Sequence, residues 1–189
     1  MVILTPTDFI VRGFLFERTP VKNSYYIWRL IVPLFSPVMP SISLNYSDRI
    51  SLDGRTQAYI RIDEAADELS RWIAEQMICE QIPKLDKINS VQVFLSAFEA
   101  SGLDWRPNTK LELAFARLLC GDLEGGEKMI NEILRLPPDS PVIPIVQEEA
   151  RRLVEALRQG PASLVELASQ IKKRNCSAFF PNITSKVGV

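Results

Sequence analysis

The 189-residue chain contains no histidine. That absence excludes Ser-His-Asp and Cys-His nucleophiles, His-ligated zinc and His-ligated haem. Cysteine is scarce too: Cys79, Cys120 and Cys176 are far apart and form no CxxC pair, so spacing argues against a metal or redox site. Cys79 and Cys120 fall in or beside apolar helical patterns and are expected to be small buried hydrophobes. No Walker A, GxGxxG or GxSxG motif occurs. The most apolar run, Tyr25 to Phe35, carries Arg29 and Pro33. It is far short of the ~20 residues a spanning helix needs. Met1 to Asp8 lacks the basic segment and apolar core of a signal peptide. These absences point to a soluble protein of the reducing cytoplasm, with neither cofactor nor metal. The sequons at Asn45, Asn175 and Asn182 are then expected to be incidental.

What is present is an ordinary globular composition, 47% apolar and 24% charged. A chain of this size can bury roughly 70% of its unfolded surface and needs no covalent staple. Its first third reads as strand. Residues 9–18 are largely apolar on both faces, which predicts either a strand covered on both sides or one whose register the pattern does not fix. Thr19 to Asn23 is a turn, and Tyr25 to Leu34 is rich in β-branched and aromatic residues, with Pro33 ending it. Ile42, Leu44, Tyr46, Ile50 and Leu52 alternate with polar positions; Asp53-Gly54 signals a hairpin leading into Arg55 to Ile62.

From Asp63 the period becomes helical. Ala65, Leu69, Trp72, Ile73 and Met77 form the first stripe, which Pro83 ends or kinks. Val91, Phe94, Leu95 and Phe98 form the second, with Gly102 after it. Further helices run from Asn108 to Gly121, from Asp122 to Pro137, and from Ser140 to Gly160. Ser163 to Glu166 reads as a capping box opening the last helix, and the pattern dissolves after Arg174. Strands followed by about six helices predict an α+β fold whose sheet is a four-stranded antiparallel meander. The expected divisions are a sheet portion at 1–62, a helical portion at 63–174 packed with it as one domain, and a tail at 175–189. The expected core includes Ile42, Leu44, Ile60, Leu69, Trp72, Phe94, Phe98, Phe115, Ile130, Leu153 and Leu167.

Leu113-Ala114, Gly121-Asp122, Gly126, Ile130 and Pro138 are spaced as in one tetratricopeptide repeat. The stretch 107–138 therefore resembles that family, with departures at Arg117, where an aromatic is usual, and Ile133, where alanine is usual. No second copy is present, although such solenoids need about three repeats. The resemblance implies an antiparallel helical hairpin and protein binding.

Charge is distributed unevenly. Residues 1–61 hold seven basic and four acidic side chains, 62–150 eight and seventeen, and 151–189 seven and two. An acidic helical middle can present a field to a basic partner. Carboxylates off the apolar stripes make its candidate face: Glu64, Asp67, Glu68 and Glu75 on the first helix, and Glu112, Glu124, Glu127 and Glu132 on the hairpin. The leading expectation is a non-enzymatic protein that binds a basic protein, as an immunity-type inhibitor does. A second reading uses Arg29, Arg49, Arg55, Tyr59 and Arg61 on a sheet face to track a phosphate backbone and stack bases; the sequence pI of about 5.7 argues against it. A third is an enzyme built on carboxylates that only the tertiary fold brings together.

Overall fold

The computed structural model describes residues 2–4, 8–38, 45–50, 59–61, 66–99, 101–102 and 106–179. Strands β1 (Val2–Ile3), β2 (Ile10–Arg18), β3 (Ser24–Pro33), β4 (Asp48–Arg49) and β5 (Tyr59–Arg61) make one sheet, antiparallel throughout. The helices are α1 (Ala66–Gln76), a π-helical turn (Met77–Gln81), α2 (Ile82–Asp86), α3 (Val91–Glu99), α4 (Pro107–Leu119), α5 (Leu123–Leu134), α6 (Val142–Gln159) and α7 (Pro161–Phe179). This is the expected α+β order.

The long pair β2–β3 follows from sequence directly. Thr19 to Asn23 closes it, with Asn23 at φ 57°, a left-handed turn position that asparagine tolerates. The remaining strand positions differ from expectation. Val2 and Ile3 flank β2, opposite Phe14 and Gly13. Both β4 and β5 run antiparallel to β3, with Arg49 opposite Trp28 and Tyr59 opposite Tyr26. They therefore point the same way and share one edge, end to end. This register excludes pairing of 48–49 with 59–61 as a hairpin; Asp53-Gly54 itself lies outside the described residues. Four strand positions result, the last one interrupted.

Alternation on β2 and β3 serves two apolar clusters. Ile10, Phe14, Ile27 and Ile31 face the helices, in the main core with Phe35, Phe94, Phe115, Ile130 and Leu153. Val11, Leu30, Val32 and Leu34 form a second cluster, on which Ile3, Cys176 and Phe179 pack. That second cover comes from the end of α7, which continues past Arg174 to Phe179. Of the expected core, Leu69, Trp72, Phe98 and Leu167 are only half-buried; α1 has no fully buried position among its described side chains. Ile42 and Leu44 lie outside the described residues, and Ile60 is described by its backbone register alone.

The regular α-helical bonding of the first helix is interrupted just before Pro83. The Ile82 N–H reaches back five residues to the Met77 carbonyl, and this wide turn directly precedes the proline, which has no N–H to place. Cys79 sits in that turn and is exposed, contrary to expectation, because it lies off the buried line Met77–Gln81–Leu85. Cys120 and Cys176 are half-buried. Pro161 occupies the first turn of α7 immediately after Gly160 at φ 104°, so Ser163 to Glu166 lie inside that helix rather than capping it.

Helix α4 is the centre of the helical half, packed by α3, α5, α6 and α7. Gln147 of α6 donates to the carbonyls of Ile133, Leu134 and Leu136 at 3.3, 3.3 and 2.9 Å, adding to the backbone bonds that close the end of α5. Arg12, buried on β2, donates to Leu85 O at 3.2 Å and pairs with Asp86 at 3.0 Å, tying sheet to α2.

Candidate functional site

The acidic residues separate into three environments. Asp67, Glu68 and Glu75 on α1, and Glu124 and Glu127 on α5, are exposed, and among the described residues none has an ion-pair partner. Glu132 is exposed but engaged: Lys110 Nζ lies 2.7 Å from it, and that hydrogen bond and charge hold its carboxyl below the usual range. Glu112 is not on the surface at all; 2% of it is exposed. Its place off the apolar stripe is correct for a one-sided helix, but α4 is enclosed on all sides, with Leu111 through Ala116 continuously buried. Glu64 lies outside the described residues. Helices α1 and α5 do not pack side by side, so the remaining carboxylates form two groups.

The exposed acids of α6 contrast with these. Glu148 pairs with Arg151, Glu149 with Arg152 and Glu155 with Arg158 along the helix. Among the described residues, exposed acids without an ion pair thus include those of α1 and the start of α5, together with Glu17, Asp139 and Glu166; Arg71 on α1 and Lys128 on α5 stand among the first two groups.

Of the expected basic face, the register sets Arg49, Tyr59 and Arg61 opposite Trp28, Tyr26 and Ser24, which are positions of one parity on β3, while Arg29 has the other parity. Arg29 is on the side toward the helices, bidentate to Asp48 at 2.6 and 2.8 Å. Arg49 is on the other side, its guanidinium 3.8 Å from the Tyr26 ring centre and 4.7 Å from that of Trp28. Trp28 donates to Glu17 at 2.7 Å. Alternation in the strands separates Arg29 from Arg49, because consecutive positions face opposite ways. Arg55 lies outside the described residues. Tyr59 and Arg61 are described by register, opposite Tyr26 and Ser24.

Glu112 belongs to a buried polar cluster that only the fold assembles. Ser36 Oγ donates to Glu112 Oε1 at 2.5 Å. Tyr46 lies beside the same carboxyl, yet its hydroxyl and Glu112 Oε2 are both buried without a hydrogen-bond partner. Burial pushes the Glu112 carboxyl up, against the opposing effect of its bond to Ser36 and of the neighbouring Tyr46 hydroxyl. The phenol of Tyr46 is pushed up by burial and by the neighbouring carboxyl. Nearby, Asn45 donates to Thr109 Oγ1 at 3.1 Å and accepts from Arg106 at 2.8 Å. The Tyr46 ring meets Phe94 and Phe98 edge-on at 4.7 and 4.9 Å. It also walls a surface cleft of about 330 Å³ between β3, β4, α2 and α3, lined in addition by Arg29, Ile31, Lys84, Ile88 and Phe98.

Ser36, Tyr46 and Thr109 were not legible as a site, since they are far apart in sequence and of common type. The available signal was Glu112 itself, one charge in an otherwise apolar run from Leu111 to Ala116. Among the described residues no group of three or more cysteine, aspartate or glutamate side chains has metal-binding geometry, and no helix is long and apolar enough to cross a membrane. Asn175 is spent as a structural donor, and its burial makes the Asn175 sequon unusable in the folded chain.

Comparison with protein-family models, with curated proteins and with solved structures finds no match to this chain. The α4–α5 hairpin has the close helix contact that the tetratricopeptide resemblance implies, with Gly126 against Leu118 and Ala114. That contact is a property of any tight helical hairpin.

Proposed function

We propose that this is a non-enzymatic cytoplasmic protein that binds a basic protein through the exposed carboxylates of α1 and α5. The observation that carries the reading is the set of acids without counter-ions at Asp67, Glu68, Glu75, Glu124 and Glu127, beside the paired acids of α6. An unpaired acidic surface steers a cationic partner and gains from its counter-charge on docking. An inhibitor of the immunity type, set against a basic enzyme, fits this layout. The two groups act as separate contacts, α5 presenting Glu124 and Glu127 and α1 presenting Glu68 and Glu75.

The test begins with co-purification from the native host and mass spectrometry, followed by kinetics with the isolated partner. Reversal of Glu124 and Glu127 to Lys is expected to weaken binding more than about tenfold, on the order of 1.4 kcal/mol. The loss should lie mainly in the association rate and shrink with added salt. Stability should change by less than about 0.5 kcal/mol. Wild-type rates and salt slope in both the α5 variant and a Glu68/Glu75 reversal would remove the acidic surface from the interface.

A further inference from the structure

We propose that Glu112, Ser36 and Tyr46 form a proton-operated latch on the cleft between β3, β4, α2 and α3, closed while Glu112 is protonated and released when it ionises. The latch joins three parts of the chain: the connection after β3 through Ser36, the segment 45–50 through Tyr46, and α4 through Glu112. A protonated carboxyl suits this place. It can accept from Ser36 through Oε1 and present a hydroxyl at Oε2, next to a tyrosine oxygen that lacks a partner. An ionised carboxyl does not suit it, because a buried charge needs a counter-ion or several donors.

No cation is bonded to Glu112 among the described residues. From the connection after β3 the facing group is Ser36, and from segment 45–50 it is Tyr46. On α4 the next polar side chain toward Tyr46 is Thr109. The cations nearest in the network are directed elsewhere: Arg106 to Asn45, and Arg174 to the Ser36 and Pro37 carbonyls at 3.4 and 2.7 Å. Asp48 is held by Arg29. Phe94 and Phe115 supply apolar walls.

The step moves one proton. The Glu112 O–H bond breaks, the proton passes to bulk water, and a carboxylate remains in the core. Hydrating that carboxylate requires an opening, and Tyr46, the neighbour of Glu112, also lines the 330 Å³ cleft. Release of Tyr46 would deepen the cleft toward Glu112. Since burial raises the carboxyl above its unfolded value, the stabilising contribution is complete below that value, near ~4.3, and is lost as pH rises through the folded one.

The test uses the full chain with carbon-13 in the glutamate carboxyls, titrated by NMR, together with amide exchange corrected for intrinsic rates. One carboxyl, absent from Glu112→Gln, should titrate well above the others, and exchange at 45–50 should rise through the same pH range. The stability difference between Glu112→Gln and wild type should grow in favour of the variant over that range. Glu112 titrating with the surface glutamates, or Glu112→Gln keeping the wild-type pH profile at 45–50, would overturn the proposal. Tyr46→Phe provides a second route should Glu112→Gln not fold: loss of the phenol removes the acceptor for the protonated carboxyl and is expected to lower the Glu112 midpoint. An unchanged or raised midpoint in Tyr46→Phe would show that the tyrosine does not hold the protonated carboxyl, and the latch would fall.

Discussion

Gly125 and Gly126 are adjacent in α5, and their surroundings are opposite in kind. A Cβ at Gly126 would lie 2.5 Å from Leu118 Cδ2 and 3.0 Å from the Ala114 carbonyl, both part of the buried α4 surface. A Cβ at Gly125 would meet the ends of Arg117 and Asp122, each at 2.3 Å, which are side chains able to swing aside. Gly126→Val should therefore cost about 2 kcal/mol, as overpacking in a tight interface does. Gly125→Ala should stay within about 1 kcal/mol of wild type, the helix-propensity gain offsetting a weakened Asp122 cap. Urea midpoints of the two variants check this contrast. Equal losses would mean that α4 and α5 are not in close contact at Gly126.

The last helix shows how one element acquires a second task. Its first part packs Leu164, Ala168 and Ile171 into the main core, and its end closes the opposite side of the sheet. The pivot is Asn175, 1% exposed, whose amide donates to Leu34 O at 2.9 Å and Ser36 O at 3.0 Å. Periodicity read from sequence stops near Arg174 because a buried asparagine and a cysteine interrupt the apolar stripe. Asn175→Ala should leave the Leu34 carbonyl buried without this donor and cost about 2 kcal/mol, measured by thermal or urea unfolding.

Across the molecule, packing is uneven. Helix α4 is surrounded, while among the described residues α1 packs chiefly against the turn that follows it and offers only half-buried Leu69, Trp72 and Ile73. Amide exchange should therefore be slowest in α4, α5 and the β2–β3 pair, and markedly faster in α1. Comparable protection of α1 and α4 would contradict this hierarchy. It bears on function, because the α1 carboxylates would then belong to the less stable part of the chain, able to adjust on docking, and those of α5 to the rigid part.

Sequence alone determined the element types, because helix and strand periods, Pro and Gly stops, and the turn at 19–23 are local properties. It put apolar residues at both parities of 10–15, consistent either with a strand covered on both sides or with an unfixed register, and the structure covers β2 on both sides. It also picked out, as candidates, the exposed acids of α1 and α5. The tertiary structure alone decided that Glu112 is internal, that Arg29 and Arg49 face opposite ways across the sheet, that β4 and β5 share one edge, and that α7 reaches the far side of the sheet. The physical reason is common to all four. A helical wheel or a strand alternation says which residues share a face of one element, while burial depends on how many neighbours surround that element. Helix α4 has neighbours all round, so its polar side became interior and a surface candidate became the centre of a buried cluster.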